Sequence, residues 1–307
     1  MRNRIIRDNI SAMRLVNAES DGLPGLIIDK YADFLVCQFL SAGAEYFKQE
    51  IIDQIRLLLE PAGIFERSDT NSRKKEGLAE NVGLLYGSEP PESITVEQNG
   101  IRFFANIRHG HKTGMYLDQS ANLKVIQRYT RSADVLNCFA YTGAFALAAL
   151  CGGAARVTNI ESSADAIAMI YRNTDLNGYD VSRFVNVQGD AFQILREYRE
   201  NGRRFDLIVL DPPKFIHSSQ QLQRGCRGYK DINLLAMKLL KESGILITFS
   251  CSGHLAPELF QKVIADAALD AGRSASIISV LGQPADHPVA LNFPEGRYLK
   301  GLVCYLD

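Results

Sequence analysis

The sequence contains no tryptophan, and its six cysteines (Cys37, Cys138, Cys151, Cys226, Cys251 and Cys304) are scattered without a single C-x-x-C pair. Zinc ribbons, dithiol redox centres and dense disulfide frameworks all need closer spacing, so reduced thiols and no metal are expected. Long apolar runs are lacking too, because charges such as Asp29, Lys30 and Asp33 interrupt them. That excludes a membrane-spanning helix. The opening MRNRIIRDNISAMRLV has arginines but not the continuous apolar stretch of a secretory leader, so a cytoplasmic protein without membrane partners is expected. Net charge is nearly absent, −1 from 34 basic and 35 acidic residues, which gives no global attraction to nucleic acid. Internal repeats and low-complexity tracts are missing as well.

What is present is enough apolar material for real cores, 46% of 307 residues, in a chain long enough for two domains. From Asp134 onward, short β-rich runs alternate with helical patterns: DVLNCF then GAFALAALCGG, RVTNIES then ADAIAMIYRNTDLNG, RFVNVQGDA then FQILREYRENG. FDLIVLDPP then INLLAMKLLKESG and ILITFSCS then APELFQKVIADAALDAG continue the series, and SASIISVLG and YLKGLVCYLD close it. Strand–helix alternation of this length predicts βαβ units in a doubly wound, Rossmann-like α/β sheet, parallel and covered on both faces, over residues 119–307. Residues 1–118 read as a smaller α+β domain. RLVNAE, GLIIDKY, FLVCQFL and GIFERSD are its strands, AEYFKQEIIDQIRLLLE its amphipathic helix, and ITVEQNGIRFFANI an Asn-Gly hairpin. Residues 68–93 are polar and turn-rich and read as exposed loops.

Open parallel sheets bind ligands beyond the carboxyl ends of their strands, at the point where strand order reverses. The first strand of the second domain runs into NCFAYTGAF, which offers Asn137, Phe139, Tyr141, Thr142 and Gly143 in a βα turn, Gly143 permitting close backbone approach at the following helix. The G-x-G-x-x-G fingerprint of dinucleotide sites is absent. Glu161, followed by Ser162, ends the second strand about twenty residues later, where a carboxylate can accept from ribose hydroxyls. Asp190, followed by Ala191, ends the third. One turn glycine and acids after two successive strands are the pattern of a class I S-adenosylmethionine-dependent methyltransferase. Either acid alone would more often be a helix cap or a surface charge.

The fourth strand ends in LDPPKF, where Pro212 and Pro213 stiffen the chain and aim Asp211 into the same crevice. A D-P-P run in this place is similar to the (Asp/Asn)-Pro-Pro-aromatic motif of enzymes that methylate base amino groups, but Lys214 stands where the aromatic would be. The fifth strand ends in FSCSGH, which puts Cys251 at its mouth, across from Asp211. Two readings stay open. Cys251 is either inert packing beside an N-methylating D-P-P, or a thiolate that adds to C6 of cytosine and activates C5, with Lys214, Lys230 or His254 favouring the thiolate and Asp211 holding the base edge. A non-catalytic RNA-binding module with this fold is the third possibility. Charge is locally uneven despite the balance: Arg102–Arg131 carries six Lys/Arg against Asp118, and Arg196–Lys230 eight against four acids. Both stretches read either as solvated faces or as RNA-facing rims.

ESDGLPGLIIDKY, GHKTGMYLDQ, CFAYTGAFALAAL, LDPPKF, GYKDIN, TFSCSGH, LGQPADHPV and FPEGRYLKGL together closely resemble the bacterial 23S rRNA cytosine-5 methyltransferase family, over nearly the whole chain. The resemblance implies a small α+β domain ahead of a class I methyltransferase domain, S-adenosylmethionine as donor, cytosine in 23S rRNA as substrate and a homodimer. It implies Cys251 as nucleophile and Asp211 as base-binding acid. Donor contacts fall on Tyr141, Thr142, Gly143, Glu161 and Asp190, with Gln119 in KTGMYLDQ as a contact from a segment folding over the donor. Substrate contacts are expected from Pro212, Lys214 and Lys230. Family members usually begin with a further RNA-binding domain of the PUA type, and this sequence starts after the point where that domain would end. The second cysteine that other RNA cytosine-5 methyltransferases carry in the fourth-strand motif has no counterpart in LDPPKF, which leaves the base that removes the C5 proton unassigned.

Overall fold

The computed structural model describes residues 10–307, so the first nine residues of the arginine-bearing opening lie outside it. The chain forms two compact units, one of residues up to Ser120 with Pro284–Gly296, the other of Ala121–Gln283 with Arg297–Asp307.

The first unit is built on a five-stranded sheet of β1 (Ala12–Asn17), β2 (Leu26–Tyr31), β3 (Phe34–Phe39), β4 (Gly63–Ser68) and β5 (Asn81–Gly87) in sequence order. Between β3 and β4 come α1 (Ala42–Tyr46) and α2 (Lys48–Leu59), and α2 buries Ile52 and Ile55 against Leu26, Ile28, Leu35 and Phe39. A short α3 (Asn71–Lys75) and β5 occupy the stretch read from sequence as exposed loops. That expectation is corrected: β5 is an edge strand paired with β4, and its alternating Val82, Leu84 and Tyr86 stay largely exposed. β6 (Ile94–Gln98) and β7 (Ile101–Ala105) form the hairpin expected from Asn-Gly. Asn99 (φ 55°) and Gly100 (φ 77°) both adopt the left-handed conformation that a two-residue primed turn requires.

A buried ion pair ties distant motifs of this unit together. Arg14 clamps Asp29 with Nε to Oδ1 at 2.8 Å and Nη2 to Oδ2 at 2.9 Å, and Thr113 Oγ1 donates to Asp29 Oδ2 at 2.7 Å. Asp286 accepts the Arg14 backbone N–H at 3.0 Å and lies beside His287. Burial alone would raise the Asp29 carboxyl. Arg14 and the Thr113 hydroxyl outweigh it and hold the group below its ordinary value. This network accounts for the inclusion of Pro284–Gly296 in the first unit.

The second unit opens with α4 (Ser120–Gln127) and continues as β8 (Asp134–Cys138), α5 (Ala144–Cys151), β9 (Arg156–Glu161), α6 (Ala164–Leu176), β10 (Phe184–Gln188) and α7 (Ala191–Glu200). β11 (Phe205–Leu210), α8 (Leu222–Leu239), β12 (Leu240–Ser250), α9 (Pro257–Ala271), β13 (Ala275–Leu281) and β14 (Lys300–Leu306) complete it. The sheet order is β10-β9-β8-β11-β12-β14-β13, so the chain runs outward from β8 to β10 and then restarts on the other side at β11. The α/β doubly wound class holds, with one correction to the all-parallel expectation: β14 inserts antiparallel between β12 and β13. No helix crosses over between β13 and β14, so nothing turns β14 into the common direction. Helix α8 also starts ten residues before the predicted INLLAMKLL, because Gly225 and Gly228 weaken its helical pattern while allowing close packing. A Cβ on Gly225 would fall 2.1 Å from Ile216 Cγ1. The core of this unit gathers Leu136, Ile160, Leu195, Phe205, Ile208, Leu210, Leu235, Leu246, Phe260 and Ile264 from strands and helices alike. Among the described residues, no helix is long and apolar enough to cross a membrane, and no cluster of metal-ligating residues occurs.

Candidate active site

The restart of the sheet puts the ends of β8 and β11 side by side, and the crevice above them is where a ligand is expected. The backbone leaving β8 is tightly wound, with Phe139 (φ 60°), Tyr141 (φ 47°) and Gly143 (φ 86°) all left-handed. Such a conformation is costly outside glycine and persists only where surroundings hold it. The holder here is Glu161 at the end of β9. Its Oε2 accepts the Tyr141 backbone N–H at 2.7 Å, while Oε1 accepts from the Ser163 backbone at 2.9 Å and the Ser162 hydroxyl at 3.2 Å. Gly143 caps α5, and a Cβ there would meet Ile170 at 3.2 Å. Beneath the turn, Asn137 Nδ2 donates to Asn159 Oδ1 and Asn159 Nδ2 to Asn186 Oδ1, each at 2.9 Å, forming an amide ladder across β8, β9 and β10. Asn137 Oδ1 is buried without a partner. Asp190, exposed at the end of β10, caps α7 by accepting from the Gln193 N–H at 2.9 Å, and Ala191 is buried behind it.

On the other side of the restart, β11 and β12 are adjacent and parallel with Leu210 level with Thr248. Asp211 follows the last residue of β11 and Cys251 the last residue of β12, and both are half-buried. Cys251 is framed by its neighbours. Ser250 Oγ donates to the Tyr229 hydroxyl at 2.9 Å, Tyr229 and Ser252 hydroxyls lie 3.1 Å apart, and the Ser252 N–H donates to Ser250 Oγ at 3.2 Å. Burial pushes the Tyr229 hydroxyl above its ordinary range, so it stays a neutral bridge between the two serines. Lys300, at the start of β14, stands opposite Ser250 in register and is only 6% exposed. Its Nζ donates to the carbonyls of Ser252 at 2.9 Å and Tyr298 at 2.7 Å. Burial is the main cause that lowers its amine to about 8, with Arg297 and Lys214 adding to the effect and Cys251 opposing it.

Sequence reasoning missed Tyr229 and Lys300 as functional candidates, although both fall within the motifs GYKDIN and RYLKGL. A lysine in a strand signals a solvated edge unless its antiparallel insertion is known. Lys230 is not drawn to the site: its Nζ pairs with Asp270 of α9 at 2.8 Å. Several other basic residues of the same stretch are likewise engaged, Arg196 with Asp231 at 2.9 Å and Arg199 with Glu200 at 3.5 Å. Gln119 is buried in the first unit. Pro212 is buried and Lys214 exposed in the segment leaving β11. Downstream of Lys214 lies a cleft of about 380 Å³ walled by Phe192 and Phe215, whose rings are 6.0 Å apart, and rimmed by His217, Gln221 and Arg224.

The family model for S-adenosylmethionine-dependent methyltransferases matches residues 78–291. Ribosomal RNA large subunit methyltransferase I of Aeromonas salmonicida is 54% identical over 299 residues, covering 97% of this chain and 76% of that protein. The protein of the same name from Vibrio cholerae is 52% identical over 307 residues, covering 99% and 77%. Among solved structures, a chain described as a SAM-dependent methyltransferase from Streptococcus mutans superposes with a TM-score of 0.87 at 24% identity, covering 99% of this chain and 77% of its own. A methyltransferase structure complexed with SAH gives 0.85 at 24% identity, covering 97% and 76%.

Proposed function

Because the chain belongs to the S-adenosylmethionine-dependent methyltransferase family, in the company of ribosomal RNA large subunit methyltransferases I, we propose that it forms 5-methylcytidine in large-subunit (23S) rRNA through a covalent Cys251 adduct. S-adenosylmethionine is the family's methyl donor. Hydroxyl- and amine-rich ligands need acceptors, and Glu161 and Asp190 supply them at the ends of two neighbouring strands, with Asn137 in the amide ladder below. Gly143 and the left-handed turn keep backbone rather than side chain beside the ligand. Phe139, Tyr141, Thr142, Ser162 and Ala191 complete the residues that would hold the donor. When bound, the donor supplies an electrophilic methyl group.

The observation that carries the cytosine reading is the placement of Asp211 and Cys251 at the ends of neighbouring parallel strands. A carboxylate at one strand end accepts from the exocyclic amine of cytosine, and a proton shared with N3 offsets the negative charge that develops on the ring. Cys251 Sγ adds to C6 and makes C5 an enamine carbon able to take the methyl. Water takes the C5 proton, and the electron pair released re-forms the C5=C6 bond and expels the thiolate. Pro212 fixes the direction of Asp211, and Lys214 lies on the exposed side of the crevice, where a phosphate would approach. The cleft lined by Phe192, Phe215 and Arg224 supports an RNA substrate, since an aromatic surface beside a cation suits an unstacked base and its phosphate. Nucleoside mass spectrometry after incubation with large-subunit rRNA and donor tests the reading. 5-Methylcytidine is expected. An N-methylated base would transfer the role to Asp-Pro-Pro alone, and no new nucleoside would leave only RNA binding.

A further inference from the structure

Lys300 is an amine that the chemistry above does not use, buried in a place where a lysine is costly. Its position is determined twice over. Backbone register sets it opposite Ser250, its Nζ reaches the carbonyl of Ser252, and the thiol of Cys251 between those two residues lies close enough for its charge to act on the amine. The second carbonyl, of Tyr298, accepts another of its N–H bonds. Two carbonyls satisfy a neutral amine's two hydrogens and leave its lone pair to receive a proton. They serve an ammonium equally well, with the third N–H available for a thiolate. Two other groups bear on Lys300, the cations Arg297 and Lys214. They disfavour a further isolated positive charge there and favour one that is paired with an anion. On the α8 side, the neutral Tyr229 hydroxyl lies within electrostatic reach of Cys251 and is itself committed to Ser250 and Ser252. Asp211 ends the neighbouring strand, and His254 lies exposed farther along the same loop.

We propose that Lys300 is the positioning residue that activates Cys251: its amine takes the thiol proton and the resulting ammonium holds the thiolate in place. The S–H bond breaks, an N–H bond forms, and total charge is unchanged. Burial brings the basicity of the amine down toward that of a thiol, which narrows the gap between the neutral pair and the ion pair. The pairing gives Cys251 a local proton acceptor without solvent and returns the proton when the thiolate leaves the base. It rests on Cys251 being the nucleophile, yet it concerns the thiol of the unliganded protein and can be tested there.

The test is the pH dependence of Cys251 alkylation by iodoacetamide in the whole chain, read by mass spectrometry of its peptide so that Cys151 and Cys226 do not interfere. In the unaltered protein the midpoint should fall at least one unit below the ordinary thiol value of about 8.5. Lys300→Gln keeps a donor for the carbonyls but no charge, and should raise the midpoint by a unit or more. Lys300→Arg, a permanent cation, should keep it low. A residue that merely anchored the loop would change the alkylation rate by the same factor at every pH and leave the midpoint alone. An unmoved midpoint in Lys300→Gln overturns the proposal. So does a midpoint at or above about 8.5 in the unaltered protein, which needs no variant to fold. Failure of the cytosine reading looks different: Cys251→Ser would still methylate RNA while the lowered midpoint remained.

Discussion

The carboxylate of Glu161 holds the backbone N–H of Tyr141 at 2.7 Å, across the gap between β9 and the turn that leaves β8. An acid expected to meet the donor's ribose therefore also shapes the turn on which the donor would rest. Oε2 carries one bond from the protein and Oε1 two, which leaves acceptor capacity on Oε2 for a hydroxyl.

Glu161→Ala should accordingly weaken donor binding by more than a single hydrogen bond's worth, about tenfold or beyond, since Tyr141 would also be released from its left-handed conformation. Glu161→Gln, which keeps an acceptor oxygen, should lose less. Calorimetric titration with S-adenosylmethionine measures both, and equal affinity in all three proteins would remove Glu161 from the site.

Cys251→Ser should fold and bind donor normally but methylate RNA slower by orders of magnitude, because a hydroxyl cannot supply the anion that a thiol does. RNA carrying 5-fluorocytidine at the target should be trapped on the unaltered protein in a donor-dependent species that survives denaturing electrophoresis, as fluorine cannot leave as a proton. Asp211→Asn should trap more slowly, its amide still bonding the base without the carboxylate's charge. Near-normal methylation by Cys251→Ser would exclude covalent catalysis.

The cleft of Phe192, Phe215 and Arg224 should take part in RNA binding. Arg224→Glu is expected to weaken RNA affinity and to lower the slope of log affinity against log salt by roughly 0.7 for each phosphate no longer neutralised, leaving donor affinity unchanged. Filter binding across a salt series would read it, and an unaltered slope would reduce Arg224 to a solvated surface charge.

Asp29→Asn should destabilise the protein by about 3 kcal/mol at neutral pH, because Arg14 would remain buried without its anion. The folded carboxyl is held below 3.8, so the ion pair contributes in full above that value and is lost as pH falls through the lower folded one. Thermal midpoints of the two proteins should therefore converge in acid. A gap that persisted undiminished at the lowest pH would show that the carboxylate charge is not what stabilises this cluster.

Local chemistry along the chain was enough to reveal the alternation of strands and helices, the Asn-Gly hairpin, and the arrival of Glu161, Asp190, Asp211 and Cys251 at strand ends. Periodicity and turn residues act over a few positions, and the topology of an open sheet then makes successive strand ends neighbours. Other features were decided only by tertiary packing. β5 forms because β4 offers it an edge, in a polar, turn-rich stretch whose apolar Val82, Leu84 and Tyr86 stay exposed. Residues 284–296 join the first unit because Asp286 reaches the backbone of Arg14 across 272 positions of sequence. Lys300 becomes a buried amine bonded to the carbonyl of Ser252, the residue after Cys251, because β14 enters the sheet backwards between β12 and β13. Each of these depends on pairings between distant segments, whose energy comes from burial and hydrogen bonds that no short window of sequence contains.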